Sequence, residues 1–300
     1  MADQPTGLHA GNLAPPFSLL LTKRSKRALA VARRLALHII LITLALTMLF
    51  PFFWTISASL KDNLAVLQTP PSLLPNPVHW STYSDLFNAL PIVRFFINSV
   101  IVAVVTTGSQ VLTCSMAAYA FARISFPGRN ILFLVYLATL MVPVQVTMVP
   151  LFILMRVLGL TNTYPGLILP GVTSAFGVFL LRQFFLTIPR DLEEAAFLDG
   201  ASHWTVFWRI ILPLSKPGLA ALTIFSFMGS WNSFLWPLLI TTDQSLMTLP
   251  LGISTLQGQY TTVWNQIMAG TVVSIVPILV VYVLAQRHFV QGLTLSGLKG

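Results

Sequence analysis

Charge is what this 300-residue chain has least of. Only 8% of its residues are charged, 17 basic and 8 acidic, while 55% are hydrophobic. Soluble domains carry about a quarter charged residues. With a mean hydropathy of +0.80, a water-facing globule of this size could not cover its apolar surface. That excludes an ordinary soluble enzyme and a disordered chain. Cys114 is the only cysteine, which excludes a disulfide scaffold; within an apolar run it reads as a small buried hydrophobe, not a reactive thiol. The sequence also lacks GxxxxGK[ST], HExxH, GxSxG and any His/Cys/Asp/Glu pattern of metal-ligand spacing, so neither a phosphate loop, a nucleophile elbow nor a metal site is encoded.

What is present is long apolar intervals between sparse charges. Those from Arg34 to Lys61, Arg94 to Arg123, Arg129 to Arg156, Arg156 to Arg182, Lys216 to Asp243 and Asp243 to Arg287 each exceed the ~20 residues that cross a bilayer core. In the last, only about Ile267 to Ala285 is apolar enough to span. Six transmembrane helices are expected, at about 35–59, 95–121, 131–155, 166–187, 217–240 and 265–286, in an all-α polytopic fold. The interval from Asp62 to Asp85 holds Pro70, Pro71, Pro75 and Pro77 and reads as a loop. Prolines 51, 143, 150, 170, 237 and 277 lie within or at the ends of spans and predict kinks.

With the N-terminus inside, every basic residue except Lys61, Arg94 and Arg156 falls on the inner side. The positive-inside rule therefore places both termini in the cytoplasm. The net charge of +9 reflects this bias and contact with anionic lipid, not nucleic-acid binding. Residues 1–34 read as a basic cytoplasmic tail, mobile over 1–22, residues 35–290 as the transmembrane domain, and 291–300 as a cytoplasmic tail. The first apolar run is about twice a signal peptide's length, so it reads as a retained span.

No Asp, Glu, Lys or Arg lies well inside a span, and His38 and His288 sit near span ends. A proton-linked carrier usually needs an ionisable group at membrane depth. The polar residues that do occur in spans include Asn98, Ser99, Thr106, Thr107, Gln110, Gln145, Thr147, Ser226, Ser230, Asn232 and Ser233, with Trp231 and Trp236 beside the last of these. They are either interhelical hydrogen bonds, worth ~0.6–2 kcal/mol each, or a path for a polar solute. Gln145, Ser230, Trp231 and Asn232 are the candidate path residues: a Trp face covers sugar C–H groups while an amide bonds hydroxyls.

Four of the eight acids fall together: Asp191, Glu193, Glu194 and Asp199. The loop over about 189–213 predicts a short helix with Asp191 as N-cap and Glu194 completing a capping box. It should end at about Leu198, with Gly200 left-handed. Ser202 should cap a second helix reaching Leu212, stopped by Pro213. Phe197, Ala201, Trp204, Trp208 and Ile211 form a helical stripe. Such an acid-capped helix can dock in a partner's groove or lie on the membrane; acids suit an anionic leaflet poorly.

The run Glu194-Ala195-Ala196-Phe197-Leu198-Asp199-Gly200-Ala201, with Ile210, Leu212-Pro213 and Pro217 behind it, closely resembles the EAA loop of binding-protein-dependent ABC importer permeases. Phe126-Pro127-Gly128-Arg129, Leu140-Met141-Val142-Pro143, Gly166-Leu167-Ile168-Leu169-Pro170, Trp231-Asn232, Gln291-Gly292-Leu293-Thr294 and Gly297-Leu298-Lys299-Gly300 resemble the carbohydrate-uptake branch, the maltose-permease-like subunits. The resemblance implies a type I (MetI-like) permease in a prokaryotic inner membrane, not an enzyme, binding no cofactor of its own. Its implied partners are a second permease subunit, an ABC ATPase dimer that uses ATP and Mg, an extracytoplasmic solute-binding protein and membrane lipid. Glu194, Ala195, Ala196, Asp199, Gly200 and Ala201 would couple to the ATPase, and Gly297, Leu298, Lys299 and Gly300 would reach between its subunits. Gln257, Gln259, Tyr260 and Thr261 would face the binding protein. The solute is implied to be a sugar; glycerol phosphate, a polyol or another small polar solute stays open, as does a gated channel or proton-linked carrier.

Overall fold

The computed structural model describes residues 18–258 and 262–296, with side chains over 28–258 and 262–284. The longer helices are α1 (Ser18–Ser59), α2 (Ser81–Ala89), α3 (Ile92–Arg123), α4 (Arg129–Ala138), α5 (Val144–Val157), α6 (Ala175–Leu186), α7 (Asp191–Leu198), α8 (Lys216–Trp231) and α9 (Trp264–Ser296). Among the described residues the only strand-like pairing is a bridge between Gln257 and Thr262. The chain divides into two units, Met1–Trp54 and Thr55–Gly300. The described part of the first is helix α1, which starts at Ser18, within the segment read as a tail. Its apolar side chains, Leu41, Leu46 and Phe50 among them, are exposed, as suits a lipid-facing helix.

In the second unit α3 packs against α6 and α8, and α8 against α9. The reason is legible in α3. Asn98, Val102, Thr106, Gln110, Cys114, Ala118 and Ala122 recur every four residues, a stripe that winds about 40° round the helix at each step and so meets different neighbours along its length; all are buried except half-buried Gln110. The small residues in its second half let α6 approach closely. A Cβ on Gly177 would stand 2.9 Å from both Cys114 Sγ and Leu222 Cδ1, so three helices meet on a missing side chain.

Among the described residues three helices are long and apolar enough to cross a membrane: Ala28–Ser59, Ile92–Arg123 and Trp264–Leu284. Three of the expected spans are broken, where prolines 143, 170 and 237 predict kinks. The segment expected at 131–155 is two helical pieces, Arg129–Met141 and Val144–Val157, meeting at 98°. Val142 is extended (φ −81°, ψ 116°) because Pro143 excludes the helical conformation from the residue before it. The fourth pairs Tyr164–Gly171 with Ala175–Leu186 at 45°; Ser174 caps the second piece by accepting from Gly177 N–H at 3.3 Å. The fifth, expected at 217–240, stops at Trp231 and resumes as Leu235–Ile240. Asn232 closes it, giving both its backbone N–H (3.0 Å) and its Nδ2 (2.9 Å) to the Met228 carbonyl.

Candidate functional site

Two features stand out, a cavity among the helices and the acidic loop. The cavity is half-open and about 480 Å³. Three helices supply most of its wall, each at helical spacing: Val102, Thr106 and Gln110 from α3; Val144, Thr147, Met148 and Leu151 from α5; Leu222, Phe225, Ser226, Gly229 and Ser230 from α8. The rest comes from the segment 167–176 and from Ser233, Trp236 and Pro237, and no charged side chain lines it.

Gln110 holds this wall together. Its Nε2 donates to the Gly171 carbonyl at 2.7 Å, and its Oε1 accepts from Ser226 Oγ at 2.6 Å. One amide thus joins α3, the break before α6 and α8. Trp236 donates Nε1 to the Gly166 carbonyl at 3.0 Å, leaving its ring as an apolar panel. Thr106 differs: its Oγ1 is buried without a hydrogen-bond partner among the described residues. Such a hydroxyl costs free energy until something bonds it.

Of the four candidate path residues, Ser230 alone lines the cavity. Trp231 is 1% exposed. It stacks on Phe227 at 5.7 Å, meets Phe96 edge-on at 5.6 Å and donates Nε1 to the Ser274 carbonyl at 3.0 Å. It is a core residue, one helical position round from the cavity. Asn232 is the helix cap described above. Gln145 is exposed away from the cavity, between Val144 and the lining Thr147. The signal that finds the wall is the repeat of polar residues at four-residue spacing, Thr106–Gln110 and Ser226–Ser230, not the Trp-amide pair. Asn98 has no share in the cavity. It accepts from Tyr164 OH at 2.7 Å and donates to the carbonyls of Ser245 and Met247, both at 2.9 Å, so it fastens the 241–249 segment to α3. Nearby, the Asp243 carboxylate accepts from Ser245 N–H at 2.8 Å, which holds its carboxyl below the usual range.

The acidic loop contains the expected short helix, Asp191–Leu198, but Asp191 does not cap it. Arg190 is the helical residue before it, and no side chain caps this end. The Arg190 carbonyl takes both Glu193 N–H at 2.9 Å and Glu194 N–H at 3.0 Å, leaving Asp191 in the first turn, where its charge still favours the helix dipole. The end is as expected: Gly200 has φ +84°, its N–H reaches the Phe197 carbonyl at 3.0 Å and Ala201 N–H reaches Ala196 O at 2.9 Å. Ser202 caps the next turn, accepting from Thr205 N–H at 3.2 Å. The second piece is not one regular helix stopped at Pro213. A π turn spans Phe207–Ile211, and Pro213 is tolerated in the following turn, Leu212–Leu214, because the widened ladder relieves the clash a proline makes. The piece then meets α8 at 79°.

Glu194, Ala195, Leu198, Asp199 and Gly200 are exposed on one end of the loop, and Ala196 and Ala201 are half-buried. The expected stripe is divided: Ile211 is buried with Val206 and Phe207, while Trp204 and Trp208 face out. The acid that sequence reasoning passed over is Glu193. It is buried, and its Oε1 lies 2.9 Å from Arg123 Nε, in ion-pair contact without hydrogen-bond alignment. Burial pushes the Glu193 carboxyl up, against the opposing pull of Arg123, Arg190 and His203. The doubled Glu193-Glu194 run was the only local sign that one acid would turn inward.

Gln257 pairs through the bridge to Thr262; Gln259, Tyr260 and Thr261, and the tail residues Gly297, Leu298, Lys299 and Gly300, lie outside the described residues.

Residues 110–295 match the family described as the binding-protein-dependent transport system inner membrane component. The chain is 37% identical over 270 residues to the arabinooligosaccharides transport system permease protein AraQ of Bacillus subtilis, covering 89% of this chain and 96% of that one. It is 40% identical over 264 residues to the sn-glycerol-3-phosphate transport system permease protein UgpE of Yersinia pestis, covering 85% and 94%. Among solved structures it resembles a chain of a bacterial ABC transporter involved in the import of the acidic polysaccharide alginate, with TM-score 0.73 and 25% identity over 89% of this chain and 98% of that one. A chain of a bacterial alginate ABC transporter in complex with alginate pentasaccharide-bound periplasmic protein shares the fold at TM-score 0.62 and 17% identity, covering 88% and 95%.

Proposed function

Since the chain belongs to the family of inner-membrane components of binding-protein-dependent transport systems, we propose that it forms half of the translocation path of an ATP-driven importer of neutral carbohydrate. It spans the membrane six times, counting each bent pair as one crossing, with both termini cytoplasmic. A second permease supplies the other half, and a solute-binding protein delivers sugar from outside. An ABC ATPase dimer, using ATP and Mg, docks on the exposed residues around Glu194, Ala195, Asp199 and Gly200. Closure of that dimer moves the docked helices and shifts the path between inward-open and outward-open; ATP changes the balance only because the two states differ in docking contacts.

The observation that carries the choice of solute is the cavity wall: a mainly apolar lining with the Trp236 ring, interspersed with Thr147, Ser174, Ser226, Ser230 and Ser233, and no cation. An apolar wall with an aromatic panel and a few placed hydroxyls suits a neutral, polyhydroxylated ligand whose C–H faces need covering. A phosphorylated solute is the second reading, favoured by the likeness to the glycerol-3-phosphate permease; the partner permease would then have to supply the cations. Uptake by the complete complex in proteoliposomes separates them. Neutral oligosaccharide should accumulate with ATP and resist competition by glycerol phosphate. The reverse result favours the second reading, and uptake by this chain alone without the ATPase would sink both.

A further inference from the structure

The coupling helix is fastened to the membrane part unequally on its two sides. On one side stands Arg123, the last residue of α3. Its Nη2 donates to the carbonyls of Phe185 at 2.5 Å and Ile188 at 2.7 Å, in the last turn of α6 and just beyond it. Its Nε lies 2.9 Å from Glu193 Oε1, in the first turn of α7, with the two side chains 3% and 7% exposed. A single guanidinium therefore joins the ends of α3 and α6 to the coupling helix. On the other side, the path from α7 to α8 runs through the left-handed Gly200, the π turn at Phe207–Ile211 and the 79° bend at Ser215. Those are places where a helix changes direction, not where it transmits a push.

We infer that the Arg123–Glu193 pair is the clamp that makes α3 and α6 move with the coupling helix, a positioning role resting on the ATPase-docking reading above. Neither residue lines the cavity, and buried Glu193 is not on the exposed face that carries Glu194, so neither touches solute or the docking surface. Water is excluded from the pair, which makes the attraction stiff and its loss costly, since removing one partner leaves the other charge buried and alone. The fork geometry of arginine is needed to serve one carboxylate and two carbonyls together; a lysine ammonium is a single point charge. The other contacts of this region hold the segment after Gly200 and the second half of α7, not its first turn: Tyr119 OH to His203 Nδ1 at 3.2 Å, the Phe197 ring on His203 at 4.8 Å, and the packing of Ala196, Val206, Phe207 and Ile211.

The test uses the complete complex, with its partner permease, ATPase and binding protein, in proteoliposomes, reading solute transported per ATP hydrolysed. Glu193→Gln keeps the shape and removes the charge. The assembled complex should lose about tenfold in that ratio, within the range of an ordinary coupling free energy. Glu193→Asp should recover part of the loss, a rescue that shape alone does not predict. Adding Glu193→Gln to Arg123→Gln should cost nothing further, because the pair is already broken. A wild-type ratio in Glu193→Gln, or losses that add in the double variant, overturns the clamp. If Glu193→Gln does not assemble, Glu193→Asp decides: a lowered ratio supports the clamp and a wild-type ratio refutes it. Failure of the docking reading looks different, since the wild-type complex itself would then show no ATP-driven uptake.

Discussion

The cavity and the coupling loop are built from opposite chemistry. The cavity wall is tied by neutral groups, with Gln110 bonding the Gly171 carbonyl and Ser226 and Thr106 Oγ1 left without a partner among the described residues. The loop is tied by an ion pair, Arg123 to Glu193. A path must release what it binds, and neutral hydrogen bonds exchange readily with a hydroxylated solute. A lever must not yield, and a buried charge pair resists separation because each half is costly alone. The scarcity of charge thus has a positional meaning: where charge is kept among the described residues, it is kept out of the cavity.

The strongest way to break this comparison is at Gly200. Proline fixes φ near −65°, against +84° here, and removes the N–H that bonds Phe197 O. Gly200→Pro should cost the loop about 3 kcal/mol or more and abolish ATP-driven uptake while the protein remains inserted; normal uptake at normal membrane levels would end the lever assignment. Next comes the cavity tie. Gln110→Leu leaves the Gly171 carbonyl and Ser226 without their partner and should lower stability by about 1–2 kcal/mol, seen as an earlier thermal transition of the purified complex, with a raised KM for solute.

Thr106→Val sharpens the comparison from the other direction. It deletes, at nearly constant shape, a hydroxyl that has no partner among the described residues, so stability should hold or rise by about 1 kcal/mol. If solute uses that hydroxyl, KM rises severalfold in the same variant; an unchanged KM means the hydroxyl is idle. The smallest effect belongs to Asp243. Its folded carboxyl titrates below its unfolded value, so it stabilises the segment above the usual carboxylate range, and that contribution is lost as pH falls through the folded value. Protection of 243–249 against hydrogen exchange, relative to the intrinsic rates at each pH, should therefore fall as pH drops below the usual carboxylate range, and Asp243→Asn should flatten that acid-side change.

Much of the coupling loop was readable because its signals are local. A glycine after a helix, a serine before one and a cluster of acids each act within a turn, and Gly200, Ser202 and Asp191–Leu198 behave as such signals demand. The Asp191 cap failed because Arg190 was free to take up helical dihedrals and start the helix one residue early. The cavity was half readable. Ser230 lines it, but Trp231 beside it turns into the cluster with Phe96 and Phe227, since adjacent helical residues point about 100° apart and only the packing decides which faces inward.

By itself the sequence determined the solvent. Too few charges to cover a globule, spaced more than a bilayer apart, force apolar helices into lipid whatever their arrangement, and the basic residues bias which way they insert. Tertiary structure alone decided that Gln110 gathers three helices round a cavity and that Glu193, not Asp191 or Glu194, meets Arg123. Those outcomes depend on groups distant in the chain arriving within a few ångströms of one another, and no local propensity encodes that.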